Sequence, residues 1–125
     1  MKLAELKLKL TQEWVLKTLM DLGFKKEHAE VYIFLTTRGP RKAENIASEL
    51  KIYKRQLYRI LRHLASKGVI AASLDHPTLF SAVLFEKVLD LFIETKMEQQ
   101  KALQESKEEL LSTWRSLTKK KSPDS

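Results

Sequence analysis

The few glycines and prolines of this chain divide it into stretches of regular apolar periodicity, and this division constrains the fold more than any other feature. Only three glycines and three prolines occur among the 125 residues. Gly23, Gly39-Pro40 and Gly68 each follow a stretch in which apolar residues recur near the helical period. Because glycine commonly ends a helix and proline cannot continue one, these positions predict four helices. The predicted ranges are about 11–22, 26–38, 43–51 and 54–67.

The chain after Gly68 follows a different pattern. Two short apolar segments, 69–74 and 79–83, flank turn-rich residues and predict a two-stranded hairpin. No glycine or proline interrupts residues 84–117, which predicts one long helix. This order indicates a mainly α fold, a winged helix-turn-helix with a long C-terminal helix. The expected division of the chain is a winged-helix domain over 1–83, the long helix over 84–118 and a disordered tail over 119–125.

The overall composition limits the classes of partner. A formal net charge of +7 favours an anionic partner such as nucleic acid or a membrane surface. No segment approaches the roughly 20 apolar residues of a membrane span, and the first ten residues lack the apolar core of a signal peptide. The chain contains no cysteine, which excludes disulfides and thiolate metal sites. We therefore expect a cytoplasmic protein without a membrane partner.

The fourth predicted helix carries a continuous basic face. Between residues 51 and 68 there are six basic residues and no acidic residue. Arg55, Arg59 and Arg62 share one side of the helix at positions i, i+4 and i+7, and apolar residues occupy the other side. A merely solvated helix face usually mixes charges of both signs in i, i+4 pairs, and this face does not. The pattern therefore predicts that the helix enters the major groove of double-stranded DNA.

The third and fourth helices, joined by residues 51–53, form the predicted helix-turn-helix. The residues expected to contact DNA are Arg41, Lys42, Lys54, Arg55, Tyr58, Arg59 and Arg62. Arg55 and Arg59 lie in the first turns of the recognition helix and are expected nearest the bases. The other basic residues are expected on phosphates, and the tyrosine is expected to stack or to hydrogen-bond to phosphate.

The long C-terminal helix carries an apolar stripe that a monomer leaves exposed. The residues of this stripe recur in three- and four-residue steps and are Leu89, Ile93, Leu103, Leu110, Trp114 and Leu117. A helix of this length runs about 50 Å, so its far half extends beyond the body of the domain. These residues are predicted to form a homodimer interface resembling a coiled coil. The alternative is a break near Gln99-Gln100 that folds the helix back onto Trp14 and the first helix. Lys96 and Lys107 interrupt the stripe, so the orientation of the dimer helices stays open.

No catalytic site, metal site or cofactor is predicted. His28, His63 and His76 are far apart in the sequence and lack carboxylates at metal-ligand spacing. The three glycines all fall at helix ends, and none belongs to a phosphate-binding loop or a nucleophile elbow. The sequence also contains no evident site for a small-molecule effector. The chain is therefore expected not to be an enzyme.

Several short segments together resemble the DNA-binding domain of TrmB-type regulators. The matching segments are Leu22-Gly23-Phe24, Ala29-Glu30-Val31-Tyr32, Ile46-Ala47, Leu57–Leu64, Lys67–Ile70 and Phe80–Val83, the last followed by Glu86. TrmB-type regulators are winged-helix transcription factors found chiefly in archaea. The resemblance covers about residues 12–95, and it implies a sequence-specific DNA-binding transcriptional regulator that acts as a homodimer.

The chain departs from the family pattern in places that bear on function. Lys25, Lys42 and Arg55 stand at or near positions where the family tends to place helix-capping Ser or Thr, and Lys51 stands near the usual turn glycine. The predicted wing contains no Lys or Arg between residues 69 and 83, which weakens minor-groove reading by its tip. The chain ends after its long helix, so the family's sugar response is not carried over. A protein-interaction module of the transcription machinery and a sequence-tolerant chromatin protein stay open as alternatives.

Overall fold

The computed structural model of the chain describes residues 2–119. Its elements are α1 Leu3–Asp21, α2 Lys26–Arg38, β1 Arg41–Lys42, α3 Ala43–Leu50, α4 Lys54–Ser66, β2 Ile70–Ala72, β3 Leu79–Ala82 and α5 Phe85–Lys119. This order confirms the predicted winged helix-turn-helix with a long C-terminal helix. Lys119, the first residue of the predicted tail, is the last residue of α5, and residues 120–125 lie outside the described residues.

The first helix begins earlier than the sequence pattern predicts. Helix α1 starts at Leu3, whereas Thr11 was the expected N-cap. The intervening residues are leucine, lysine, glutamate and alanine, all of which favour helix, and no glycine or proline separates them from the rest. The Thr11 hydroxyl donates a hydrogen bond to the Lys7 carbonyl, one turn back, at 2.8 Å. Thr11 is therefore an interior residue of α1 and not its cap.

The wing contains a third strand in addition to the predicted hairpin. Strand β1 pairs with β3 in antiparallel register, with Arg41 opposite Phe80, and β3 pairs with β2. The resulting sheet has the strand order β1-β3-β2. A strand of two residues is too short to show alternating polarity, so the sequence pattern could not reveal it. Its effect is to tie the start of α3 to the wing.

The hydrophobic core lies between α2, α4 and the wing sheet. Tyr32 of α2 is fully buried, and its hydroxyl donates a hydrogen bond to the Val83 carbonyl at 2.6 Å. Burial raises the pKa of Tyr32 to about 12. Val88, in the first turns of α5, is also buried. The core therefore includes the point where the wing leads into α5.

The helix ends lack the usual side-chain caps. The N-cap residues of α2, α3 and α4 are Lys25, Lys42 and Tyr53, and none makes a side-chain capping hydrogen bond. The expected absence of capping residues is thus confirmed at Lys25 and Lys42, whereas Arg55 lies two residues inside α4. Lys51 ends α3 in the left-handed conformation, with φ 55°.

The described chain separates into two compact units, with the boundary between Val88 and Leu89. The first unit contains α1 to α4, the wing and the start of α5, and we call it the body. The second is the remainder of α5, residues 89–119, which we call the distal helix. No helix among residues 2–119 is long and apolar enough to cross a membrane.

Candidate nucleic-acid interface

Helix α4 has one buried side and one basic side. Its buried residues are Leu57, Ile60, Leu61 and Leu64. Its exposed residues include all five predicted contacts on this helix, Lys54, Arg55, Tyr58, Arg59 and Arg62. At about 100° per residue these five fall within one side of the helix, opposite the buried residues. We call them the basic face. The structure thus brings these five together as the sequence predicts.

Most charges of the basic face have no acidic partner. Within residues 2–119, Arg55, Arg59 and Arg62 form no ion pair. Lys54 is the exception, because its Nζ lies 3.4 Å from Oε1 of Glu44 on α3. Both side chains of this pair are exposed, and such pairs contribute at most about 1 kcal/mol. Three clustered guanidinium groups without counter-charges favour a polyanion.

Polar contacts hold α4 against the neighbouring helices. The Gln56 side chain donates a hydrogen bond from Nε2 to Oε2 of Glu27 on α2 at 2.8 Å. Arg38 of α2 and Glu49 of α3 form a second, longer link at 3.9 Å. Together with the buried side chains of α4, these contacts fix the direction in which the basic face points out of the body.

The wing meets the helix-turn-helix at a small cleft of about 210 Å³. It is lined by Lys42, Ala43, Glu44, Tyr58, Pro77, Thr78 and Phe80. Two of the predicted DNA contacts, Lys42 and Tyr58, therefore line one cleft. Arg41 lies apart from them, since its Nη1 donates a hydrogen bond to the carbonyl of Pro40 at 2.9 Å. The cleft gives the basic face an edge at which a phosphate can meet both the tyrosine and a lysine.

Two further residues at the turn before α4 belong to the same surface. Lys51 is exposed and holds a left-handed conformation that favours glycine. Tyr53, the N-cap residue of α4, has 86% of its surface exposed. The basic residue at a glycine-like position could have been identified from the sequence, but nothing in the apolar periodicity indicates an exposed tyrosine at this turn.

The predicted dimer residues lie on one uncovered side of α5. Leu89 is half-buried, and the five others are more than half exposed. Helix α5 is continuous through Gln99-Gln100, and Trp14 on α1 is 74% exposed, so the alternative with a broken, folded-back helix is wrong. From Leu89 to Leu117 the stripe keeps alternating steps of four and three residues when its interruptions Lys96, Gln100 and Lys107 are included. That spacing is typical of a coiled-coil seam. The interface remains a prediction.

The histidines are arranged differently from what their sequence separation suggests. The rings of His28 and His63 lie with centroids 4.9 Å apart, and His76 lies exposed in the wing. Among residues 2–119 no group of three or more His, Asp or Glu side chains is placed to hold a metal ion.

The sequence profile of one family matches the core of this body. The profile described as "Sugar-specific transcriptional regulator TrmB" matches residues 19–86, more than half of the chain. The chain belongs to the TrmB family. Its predicted resemblance to TrmB-type regulators is thereby confirmed, and the family is one of transcriptional regulators. No curated protein sequence matches closely enough to count as a relative.

Solved structures similar to this chain confirm the fold. TrmBL2, an archaeal chromatin protein described as having a novel mode of DNA binding, matches with a TM-score of 0.67 and 24% identity. The match covers 86% of this chain but 43% of TrmBL2, so this chain spans less than half of that protein. A variant of the regulator MepR from S. aureus, bound to an oligodeoxyribonucleotide, matches with a TM-score of 0.52 and 21% identity over 95% of both chains. MarR from E. coli matches with a TM-score of 0.51 and 16% identity over 98% of this chain and 96% of its own.

Proposed function

We propose that this TrmB-family chain is a sequence-specific double-stranded DNA-binding protein that regulates transcription as a homodimer. The observation that carries the proposal is the basic face of α4, whose guanidinium groups lack acidic partners while the opposite side of the helix is buried. A helix held by its apolar side with free cations on the other can enter the major groove without disturbing the core. Membership of a family of transcriptional regulators supports the same function.

The proposed contacts divide by depth in the groove. Arg55 and Arg59, in the first two turns of α4, are proposed to meet base edges, where an arginine bonds both acceptors of a guanine. Lys54 and Arg62 are proposed to meet the flanking phosphates. Tyr58 sits at the cleft between α4 and the wing and is proposed to donate to a phosphate there.

A second group of phosphate contacts is proposed at the edge of the wing. Lys42 and Arg41 form strand β1 directly before α3, which is the helix expected to cross the DNA backbone. The wing itself carries no Lys or Arg between residues 69 and 83, so these two residues supply the positive charge on this side.

The homodimer is proposed to form through the apolar stripe of α5. Leu103, Leu110, Trp114 and Leu117 each expose more than half of their surface, and their alternating spacing fits pairing with a second helix. A two-fold dimer presents two recognition helices to two half-sites, which raises affinity without any new kind of contact.

The experiment that tests this function compares binding to a duplex selected from a random pool with binding to a random duplex. We expect Arg59→Ala to weaken selected-duplex binding by about 1–3 kcal/mol and random-duplex binding by less. Lys42→Ala is the matched control, because a phosphate contact weakens both duplexes about equally and lowers the salt slope by about one. Thermal melts establish that both variants are folded. An equal loss on both duplexes for Arg59→Ala contradicts sequence reading.

A sequence-tolerant chromatin protein is the second candidate, and the likeness to TrmBL2, an archaeal chromatin protein, favours it. In that case the pool yields no preferred duplex, and Arg59 acts only through its charge. A protein-interaction module of the transcription machinery needs no one-sided basic helix, and duplex binding that does not depend on salt would favour it.

A further inference from the structure

The fold brings together two histidines that are distant in the sequence. His28 lies in the first turn of α2 and His63 in the last turn of α4, with ring centroids 4.9 Å apart and ring planes inclined at 71°. Within residues 2–119 neither imidazole takes part in a hydrogen bond. His28 is half-buried and His63 is exposed, so solvent reaches the pair. Two imidazoles with available nitrogen lone pairs thus face each other across two different helices.

We propose that His28 and His63 together bind one divalent transition-metal ion of the zinc class, with water completing the coordination shell. Zinc–nitrogen bonds of about 2.0–2.1 Å at a tetrahedral angle place the centroids of two imidazole ligands about 5 Å apart. The separation of 4.9 Å meets this requirement without movement of either helix. Zinc imposes no angular preference through its d electrons, so rotation of the two side chains is sufficient to direct one nitrogen of each ring to a shared ion.

The charges around the pair act in both directions. The pKa of His28 is lowered, first by burial and then by His63 and Lys25, while Glu27 acts to raise it. A lowered pKa keeps His28 neutral near pH 7, and only a neutral imidazole donates a lone pair to a metal. Lys25 repels a cation, whereas Glu27 attracts one although its carboxylate also accepts the hydrogen bond from Gln56. With only two protein ligands the site binds zinc more weakly than the four-ligand structural sites.

The bound ion would join α2 to the recognition helix. His63 follows Arg62 directly and stands one turn after Arg59, while its partner His28 belongs to the central helix of the core. A ligand that binds the folded chain and not the unfolded one stabilises the fold. Zinc is therefore expected to stabilise the packing of α4 on α2. The proposal holds whether or not the chain binds DNA.

The test is a calorimetric titration of the tag-free full-length chain with zinc chloride at pH 7.5, with magnesium chloride as the oxygen-preferring control. We expect one zinc ion per chain and no binding of magnesium. Removal of one ligand in His28→Gln or His63→Gln should weaken zinc binding by at least about tenfold, as even outer-shell changes do. The matched control His76→Gln removes the third histidine, which lies in the wing, and should bind zinc like the unaltered chain.

Thermal melts without metal show whether each variant is folded. Should a variant unfold, histidine ring resonances of the unaltered chain give the answer, since zinc should shift those of His28 and His63 and leave those of His76 in place. Zinc affinity unchanged in His63→Gln, or lost in His76→Gln, would overturn the proposal. So would shifts of the His76 resonances alone.

Discussion

The body and the distal helix use apolar side chains in opposite ways. Every buried hydrophobic residue of the described chain lies between Leu19 and Val88, hence in the body. The distal helix has none, although Leu103, Leu110 and Trp114 are as apolar as the residues of the core. Apolar residues at helical spacing therefore do not by themselves mean a core. Where a helix extends past the elements that cover it, the same spacing indicates a partner.

The two regions also differ in how they distribute charge. Helix α5 carries seven acidic and six basic residues, a mixture typical of a solvated surface. Helix α4 carries basic residues without acidic ones, and its guanidinium groups lack counter-charges in the body. We infer a division of labour in which the body holds DNA and the distal helix joins two copies. The predictions below break or sharpen that division.

The largest expected effect is on assembly. Leu110→Glu places a carboxylate in the proposed seam of both copies, and we expect it to weaken dimerisation by about 3 kcal/mol, more than a hundredfold. Ser112→Glu is the matched control, because it adds the same charge on the opposite side of the same turn. Sedimentation at micromolar concentration measures both. A full-length chain that is monomeric before substitution, or equal losses in the two variants, would show that the stripe has another use.

The next effect is confined to the body. Tyr32→Phe removes the donor to the Val83 carbonyl and should lower the free energy of unfolding by about 1–3 kcal/mol, the usual cost of an unpaired buried group. Tyr58→Phe is the control, since Tyr58 is exposed and forms no hydrogen bond within residues 2–119. Urea unfolding measures the stability and sedimentation the assembly. The comparison between the two regions fails if Tyr32→Phe abolishes dimerisation at a concentration where the body is still folded.

A smaller effect concerns the strained turn before α4. Lys51→Gly should stabilise the body by about 1 kcal/mol, because a left-handed conformation costs a non-glycine residue roughly 1–2 kcal/mol. If Lys51 also meets phosphate, the same change lowers the salt slope of DNA binding by about one. Lys67→Gly removes an equal charge at a residue with φ −83°, where no strain is relieved. A stability gain in Lys67→Gly equal to that in Lys51→Gly would refute the assignment of strain.

The smallest effect is on pH dependence. Because the pKa of His28 is lowered in the folded chain, the unfolded chain takes up a proton more readily as pH falls below 6.5. The stability of the body should thus be at its full value above pH 6.5 and decline below it, and His28→Gln should reduce this decline. Dimerisation should stay constant from pH 7.5 to 5.5, since α5 contains no histidine. Urea melts at each pH test the first statement and sedimentation the second.

The sequence was sufficient to predict most of the fold because its signals there are local. The glycines and the apolar periodicity predicted α2 with both ends correct and α3, α4 and α5 to within two residues of their observed ends. Strand β1 was missed because a two-residue strand depends on pairing with β3, which is a long-range event. The early start of α1 was missed because Thr11 resembles a cap, whereas its hydroxyl bonds back to Lys7.

The candidate site was predictable to the same degree. The basic face follows from spacing along one helix, so its residues could be grouped before the structure was known. The Lys54–Glu44 pair and the contact of His28 with His63 join different helices, and spacing within one helix cannot predict them. Tyr53 was missed for another reason, since its high exposure depends on where the turn leaves the body.

The central claim is that the basic face of α4 binds DNA, and the salt dependence of duplex binding tests it most directly. Each neutralised phosphate contributes about −0.9 to the log–log slope, so a dimer with roughly six contacts should lose on the order of a thousandfold in affinity between 50 and 200 mM salt. Combined replacement of Arg55, Arg59 and Arg62 by alanine should flatten the slope, with unfolding curves to confirm that the body is intact. Duplex binding that is flat in salt, or absent at 50 mM, would contradict the account.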